Sequence, residues 1–317
     1  MRAPISGLLP IHNGERWINR NLPTILATLG SVDELVVIDD GSTDSTSEMI
    51  SRFARTDSRI LLYKSDRKGL VESLNQGLKL ANNDWIARYD IDDRYPRERL
   101  DVQFKVLDQE NIGAVFSDYN IWREGSKFRG RIPSPIYDLQ TKLSLFNSQR
   151  TAHPSALINR ALVLEVGGYL EQEFPAEDLG LWIRLSKISK LRSCERVCLD
   201  YNRRNGSISS QKRDLVLKKK ATLMTSIKFT KREEELLTDG FDNLLNSYEV
   251  DSLKELRRFL FCYDYSTWLN FSSKPSIVAR NSSVVQKLRA AKIDALCNPE
   301  TLKFGARFLQ RKFDAFL

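Results

Sequence analysis

The chain has little histidine, little cysteine and no long apolar run, and each shortage closes off a class of function. Its two histidines are His12 and His153, and its four cysteines, Cys194, Cys198, Cys262 and Cys297, lack the spacing of a zinc site. None has the histidine partner that a metal centre or a thiol catalyst needs, so all four read as reduced, mostly buried thiols. No apolar stretch approaches the ~18 residues of a membrane-spanning helix. No charged-then-apolar leader precedes the first strand-like run, which starts by about residue 4. The expectation is a cytoplasmic protein that touches a membrane, if at all, from its inner face.

Extended disorder is also excluded, because 41% of the residues are hydrophobic against 28% charged. The 317 residues suffice for one large or two ordinary domains. The net charge of +8 is unevenly placed: residues 201–317 hold 22 Lys and Arg against 13 Asp and Glu, leaving 27 against 28 for residues 1–200. A basic module joined to a neutral one suits a polyanionic partner, anionic lipid or nucleic acid.

Residues 3–11 form an apolar run, and His12-Asn13-Gly14 is turn chemistry before a helical pattern of Trp17, Ile18, Leu22, Ile25, Leu26 and Leu29. The run ELVVI at 34–38 suits a strand covered on both faces. Ser45 and Glu48 then have capping-box spacing for a helix to about Arg55. A third strand is predicted over 59–64, a helix over 69–81, and a fourth strand over 85–91. Pro96 suits the first turn of the next helix, with Leu100, Phe104 and Leu107 on one face, before a fifth strand at 113–117. Such strand–helix alternation predicts an α/β fold, a mostly parallel sheet with helices on both faces. Ligands of these sheets bind beyond the carboxyl ends of the strands, where Pro10–Asn13, Asp39–Thr43 and Asp90–Asp93 all fall.

The fourth strand delivers Asp90, Asp92 and Asp93 within four residues. Carboxylates that close repel one another and need a cation, and their hard oxygens suit Mg²⁺ or Mn²⁺. The plainer alternative is an acidic turn capping the helix that follows. Farther on, 174–188 has helical spacing with Glu177 and Asp178 in its first turn, a position that usually means capping. Residues 120–152 read as irregular connections. The region 211–317 reads as helical and basic, with Lys218-Lys219-Lys220 and an amphipathic segment at 300–317, which could lie in a membrane interface or dock on the domain.

In order, PIHNGERWI, VVIDDGSTDST, GLVESLNQGLKLA, ARYDIDD with YPRERL, HPSALINR, VGGY and AEDLGLWIRL resemble a family-2 glycosyltransferase of the GT-A fold, the Rossmann-like sheet. The resemblance covers roughly residues 3–210, so a catalytic domain over 1–210 and a helical region over 211–317 are expected. It implies an inverting transfer of sugar from a nucleoside diphosphate donor, UDP above all, to a glycan or lipid-linked acceptor of surface polysaccharide such as O-antigen, capsule or lipopolysaccharide core. With that partner, an anionic membrane is expected and nucleic acid is not. Pro10, His12 and Asp39 would hold base and ribose, with Lys68 and Asn75 as further donor contacts. Asp90 and Asp92 would face the nucleotide, and Asp92 or Asp93 would ligate Mn²⁺ or Mg²⁺. Asp178 would be the general base, with Glu177 left to cap the helix.

One segment departs from the family. Tyr201-Asn202-Arg203-Arg204 puts Arg204 where a histidine is usual, and a guanidinium there can still bind diphosphate. His153, alone before a proline, reads as structural. An aspartyl phosphatase is disfavoured because Arg94 stands where Thr or Val is expected. A calcium loop fails because its required glycine is Tyr95. A nucleotide-sugar-binding protein without turnover is the remaining alternative.

Overall fold

The computed structural model describes residues 2–227 and 230–231, apart from 108–110, 123–129, 137, 148–149, 205 and 225. Two compact units, Met1–Lys228 and Phe229–Leu317, divide the chain. The basic segment 300–317 and most of the expected C-terminal region lie outside the described residues.

The first half alternates strand and helix as the apolar runs require: β1 (Ile5–Ile11), α1 (Glu15–Thr28), β2 (Glu34–Asp40), α2 (Thr46–Thr56), β3 (Ile60–Ser65), α3 (Leu70–Leu80), β4 (Trp85–Arg88) and α4 (Arg99–Phe104). Then come β5 (Ile112–Trp122), β6 (Gly130–Ile132), α5 (Asp138–Asn147), β7 (Leu157–Asn159), α6 (Arg160–Glu165), α7 (Glu177–Leu185), β8 (Lys190–Asn202), α8 (Ile208–Gln211) and α9 (Arg213–Met224). Every residue of β1 is buried, as a strand covered on both faces must be. Helix α1 turns Trp17, Ile18, Leu22 and Ile25 onto it. Helix α3 approaches so closely that a Cβ on Gly77 would lie 2.0 Å from Leu8, which only glycine permits.

The sheet order is β3-β2-β1-β4-β7-β5-β6, with β8 on β5. β3, β2, β1 and β4 are parallel, β7 runs against both β4 and β5, and β8 is parallel to β5. The sheet is therefore mixed, with a parallel majority. Because β7 reverses between β4 and β5, the carboxyl ends of β1, β2, β4, β5 and β8 all reach the same edge.

The predicted strand over 85–91 stops at Arg88, and the carboxylates stand on the turn beyond it. The region expected to be irregular, 120–152, carries the end of β5, β6 and α5. Strand β8 escaped prediction because bulges near Cys194–Val197 break its two-residue alternation against β5. The capping box is also corrected. Ser45 makes no side-chain cap bond, Asp44 accepts the Thr46 N–H (3.0 Å), and Glu48 pairs with Arg52 one turn on. Helix α9 buries no side chain, and Lys219 donates to the Gln172 carbonyl at 2.7 Å. Among the described residues no helix is long and apolar enough to cross a membrane.

Candidate active site

The site is assembled where the strand ends meet. After β1, His12 Nδ1–H donates to the Asp40 carbonyl (2.8 Å), tying the β1 and β2 turns together. Pro10 is buried in β1 beside Ile38. Asp39 is 3% exposed at the end of β2 and accepts the Ser42 N–H (3.1 Å). Gly41 turns with φ +66, and a Cβ there would meet the Arg67 main-chain nitrogen at 2.9 Å. Its neighbour Asp40 is structural, accepting the N–H groups of Lys68 (2.7 Å) and Gly69 (2.9 Å). That fixes the Lys68 main chain at the start of α3 and leaves its side chain exposed. Asn75 gives both ends of its amide to the Tyr169 main chain (2.8 and 2.9 Å), so it clamps the Gly167–Tyr169 loop against α3.

Beyond β4, Asp90, Asp92 and Asp93 bring one carboxylate oxygen each within 4.8 Å of one another. Their surroundings differ. Asp90 accepts from Arg88 Nη2 at 2.8 Å, and Arg88 is 2% exposed. Asp92 accepts from Arg204 Nε at 2.5 Å. Asp93 is 1% exposed, takes the Asn202 main-chain N–H on Oδ1 (2.7 Å), and has no partner on Oδ2. Burial, then the charges of Asp92 and Asp90, push the Asp93 carboxyl well above the usual carboxylate range. Asp92 is raised by burial and by Asp90, and Arg204 opposes the shift. An orphaned buried oxygen beside two more carboxylates fits a hard divalent cation.

Glu177 and Asp178 open α7. Glu177 is 6% exposed with Oε2 unpartnered, and burial first, then Asp178, raises its carboxyl to about 7. Arg88 and Asp90 also act on it, so the start of α7 lies within the field of the carboxylate turn. The half-buried Asp178 accepts the Leu179 N–H at 2.7 Å. Both acids thus meet N–H groups of the first turn, Asp178 that of Leu179 and Glu177 its own. His153 is the structural residue its context suggests. Its Nε2 bonds the Tyr169 hydroxyl (2.8 Å), and burial and then Arg88 hold it well below its usual value, neutral. Cys194 and Cys198 are buried free thiols.

Residues 6–167 match the family described as Glycosyl transferase family 2. The chain belongs to that family. Among similar family-2 proteins, a UDP-Glc:alpha-D-GlcNAc-diphosphoundecaprenol beta-1,3-glucosyltransferase, WfgD of Escherichia coli, is 28% identical over 66% of this chain and 80% of its own. Three uncharacterized glycosyltransferases of Rickettsia are 24 to 27% identical, and the chain spans about a quarter to a third of their length. Of solved structures, S. aureus TarS 1–349 in complex with UDP-GlcNAc gives a TM-score of 0.59 at 17% identity, over 82% of this chain and 79% of that one. The Pyrobaculum calidifontis mannosyltransferase PcManGT with GDP-Man and Mn²⁺ also gives 0.59, at 16% identity over 96% and 83%. The fold of this family-2 chain is thus GT-A.

The motifs of this family-2 chain disclosed most of these positions, but not Arg88 or Asn202. A signal existed for Arg88: an arginine inside the apolar run WIARYDI needs a buried partner. Nothing in the sequence pointed to Asn202, whose buried side-chain amide has no partner.

Proposed function

We propose that this family-2 protein is an inverting, metal-dependent glycosyltransferase that moves a sugar from a nucleoside diphosphate donor, UDP-linked, to a glycan or lipid-linked glycan of surface polysaccharide. The observation that carries this reading is the convergence of Asp90, Asp92 and Asp93 with a buried, unpartnered Asp93 oxygen. The ligands in the TarS and PcManGT structures, and the lipid-linked substrate in the WfgD name, support the donor and acceptor classes.

In this reading Pro10, His12 and Asp39 line the base and ribose end of the crevice, with Lys68 and Asn75 along its wall. Asp92 and Asp93 hold Mn²⁺ or Mg²⁺, with Asp90 set by Arg88. Bound there, the ion supplies Lewis-acid stabilisation of the departing diphosphate. Arg204 adds a guanidinium that bonds diphosphate oxygens. Asp178 accepts the acceptor hydroxyl's proton on the face opposite the leaving group, and the anomeric carbon inverts in one step. Burial and then the Asp178 charge raise the Glu177 carboxyl to about 7. The acceptor side and its membrane location follow from the family analogy and the basic C-terminal third.

A thermal-stabilisation screen of UDP- and GDP-sugars with and without Mn²⁺ tests the reading. Stabilisation by a nucleotide sugar that depends on the metal is expected. A screen with no metal-dependent shift rejects it.

A further inference from the structure

Beside the carboxylate turn, two arginines flank one tryptophan. The Arg94 guanidinium lies 4.7 Å from the Trp122 ring centre and that of Arg20 lies 5.3 Å from it. Trp122 is the last residue of β5, at the ligand edge of the sheet, and Arg94 directly follows Asp93. The frame is rigid. The Asp200 carbonyl accepts both the Arg94 N–H (3.2 Å) and Trp122 Nε1–H (3.1 Å), while Asp200 N–H returns to the Arg94 carbonyl (2.9 Å). The Arg203 N–H closes on the Trp122 carbonyl (2.9 Å).

Neither guanidinium has a carboxylate partner among the described residues, and Nε and Nη2 of Arg94 are buried without any acceptor. Two like charges beside one ring repel each other, and buried N–H groups without acceptors are costly. Stacking uses the face of a guanidinium and leaves its in-plane N–H edges free, the geometry that suits phosphate oxygens. Nη1 of Arg94 and the exposed head of Arg20 are the edges available.

We infer that Arg20, Trp122 and Arg94 form an anion subsite separate from the donor crevice, and that it takes the phosphate or diphosphate of the acceptor. This rests on the transfer reaction proposed above. There the donor diphosphate is held at Asp92, Asp93 and Arg204, so a second cationic position one residue beyond the carboxylates is left for an anion on the other substrate. An acceptor anchored there by its phosphate keeps its sugar near the reacting centre.

Calorimetric titration of inorganic pyrophosphate into the full chain, with excess UDP filling the donor crevice and Mg²⁺ kept in excess of both, tests this. The wild type is expected to bind one pyrophosphate beyond UDP. Arg20→Gln should weaken that binding about tenfold, and Arg20→Gln with Arg94→Gln by more. UDP affinity should be unchanged in both. Arg20 is exposed, so its single variant carries the test even if Arg94→Gln does not fold. Equal pyrophosphate affinity in wild type and Arg20→Gln, or no binding beyond UDP, overturns the inference. A parallel sedimentation with phosphatidylglycerol vesicles separates the other anion source. Variants that lose vesicle binding yet keep pyrophosphate affinity would make this a lipid-headgroup surface and overturn the subsite. Failure of the transfer reading shows separately, as absence of UDP binding by the wild type.

Discussion

Arg204 reaches from the segment after β8 to place Nε 2.5 Å from Asp92 Oδ2. A cation of the chain itself thus neutralises one carboxylate of the cluster from the position where the family resemblance leads one to expect histidine. The Arg204 side chain remains 38% exposed, so in the proposed reaction it can exchange Asp92 for a diphosphate without crossing the core. Arg204→Ala is expected to weaken UDP binding in the presence of Mn²⁺ about tenfold, from lost charge-assisted hydrogen bonds. Isothermal calorimetry checks it, and an unchanged affinity would assign Arg204 to Asp92 alone.

Asp93→Asn should separate stability from binding. In the wild type, ionising Asp93 works against burial and two neighbouring carboxylates. An acid raised in the folded state costs stability as pH climbs through its unfolded value, fully so above the folded one. The neutral amide avoids that cost and can still accept the Asn202 N–H. The variant should therefore melt higher than wild type at pH 8 without metal, and gain little from Mn²⁺ with UDP. A gain equal to the wild type's would remove Asp93 from the cation site.

Asp178→Asn is expected to keep metal and UDP affinity while transfer falls by roughly 10²–10⁴-fold, the usual contribution of a general base. Binding and turnover are measured on the same preparation. Normal turnover would move the base elsewhere.

Glu177→Gln should raise stability in a pH-dependent way. The carboxyl rises to about 7 from an unfolded value of 4.5, so its cost begins as pH rises through 4.5 and is complete above 7. The difference should be negligible near the lower value and on the order of 3 kcal/mol above the upper one. Urea denaturation between pH 5 and 8.5 reads it, and a gap that does not change with pH would contradict the raised carboxyl.

The apolar runs at 3–11, 34–38 and 59–64 determined their strands by themselves, because strands covered on both faces need uninterrupted hydrophobicity. The turn residues after them placed His12, Asp39 and the carboxylates at one edge before any tertiary contact was known. What the chain's order could not show was pairing between segments far apart in sequence. Only the sheet, with β7 reversed between β4 and β5, brings Asn202 and Arg204 to Asp93 and Asp92 across more than a hundred residues. Burial, another tertiary quantity, decided which carboxylates of the site depart from ordinary acidity: Asp92, Asp93 and Glu177 do because the fold takes them out of water. Residue type determined the chemistry available, and packing determined which atoms were left without a partner to perform it.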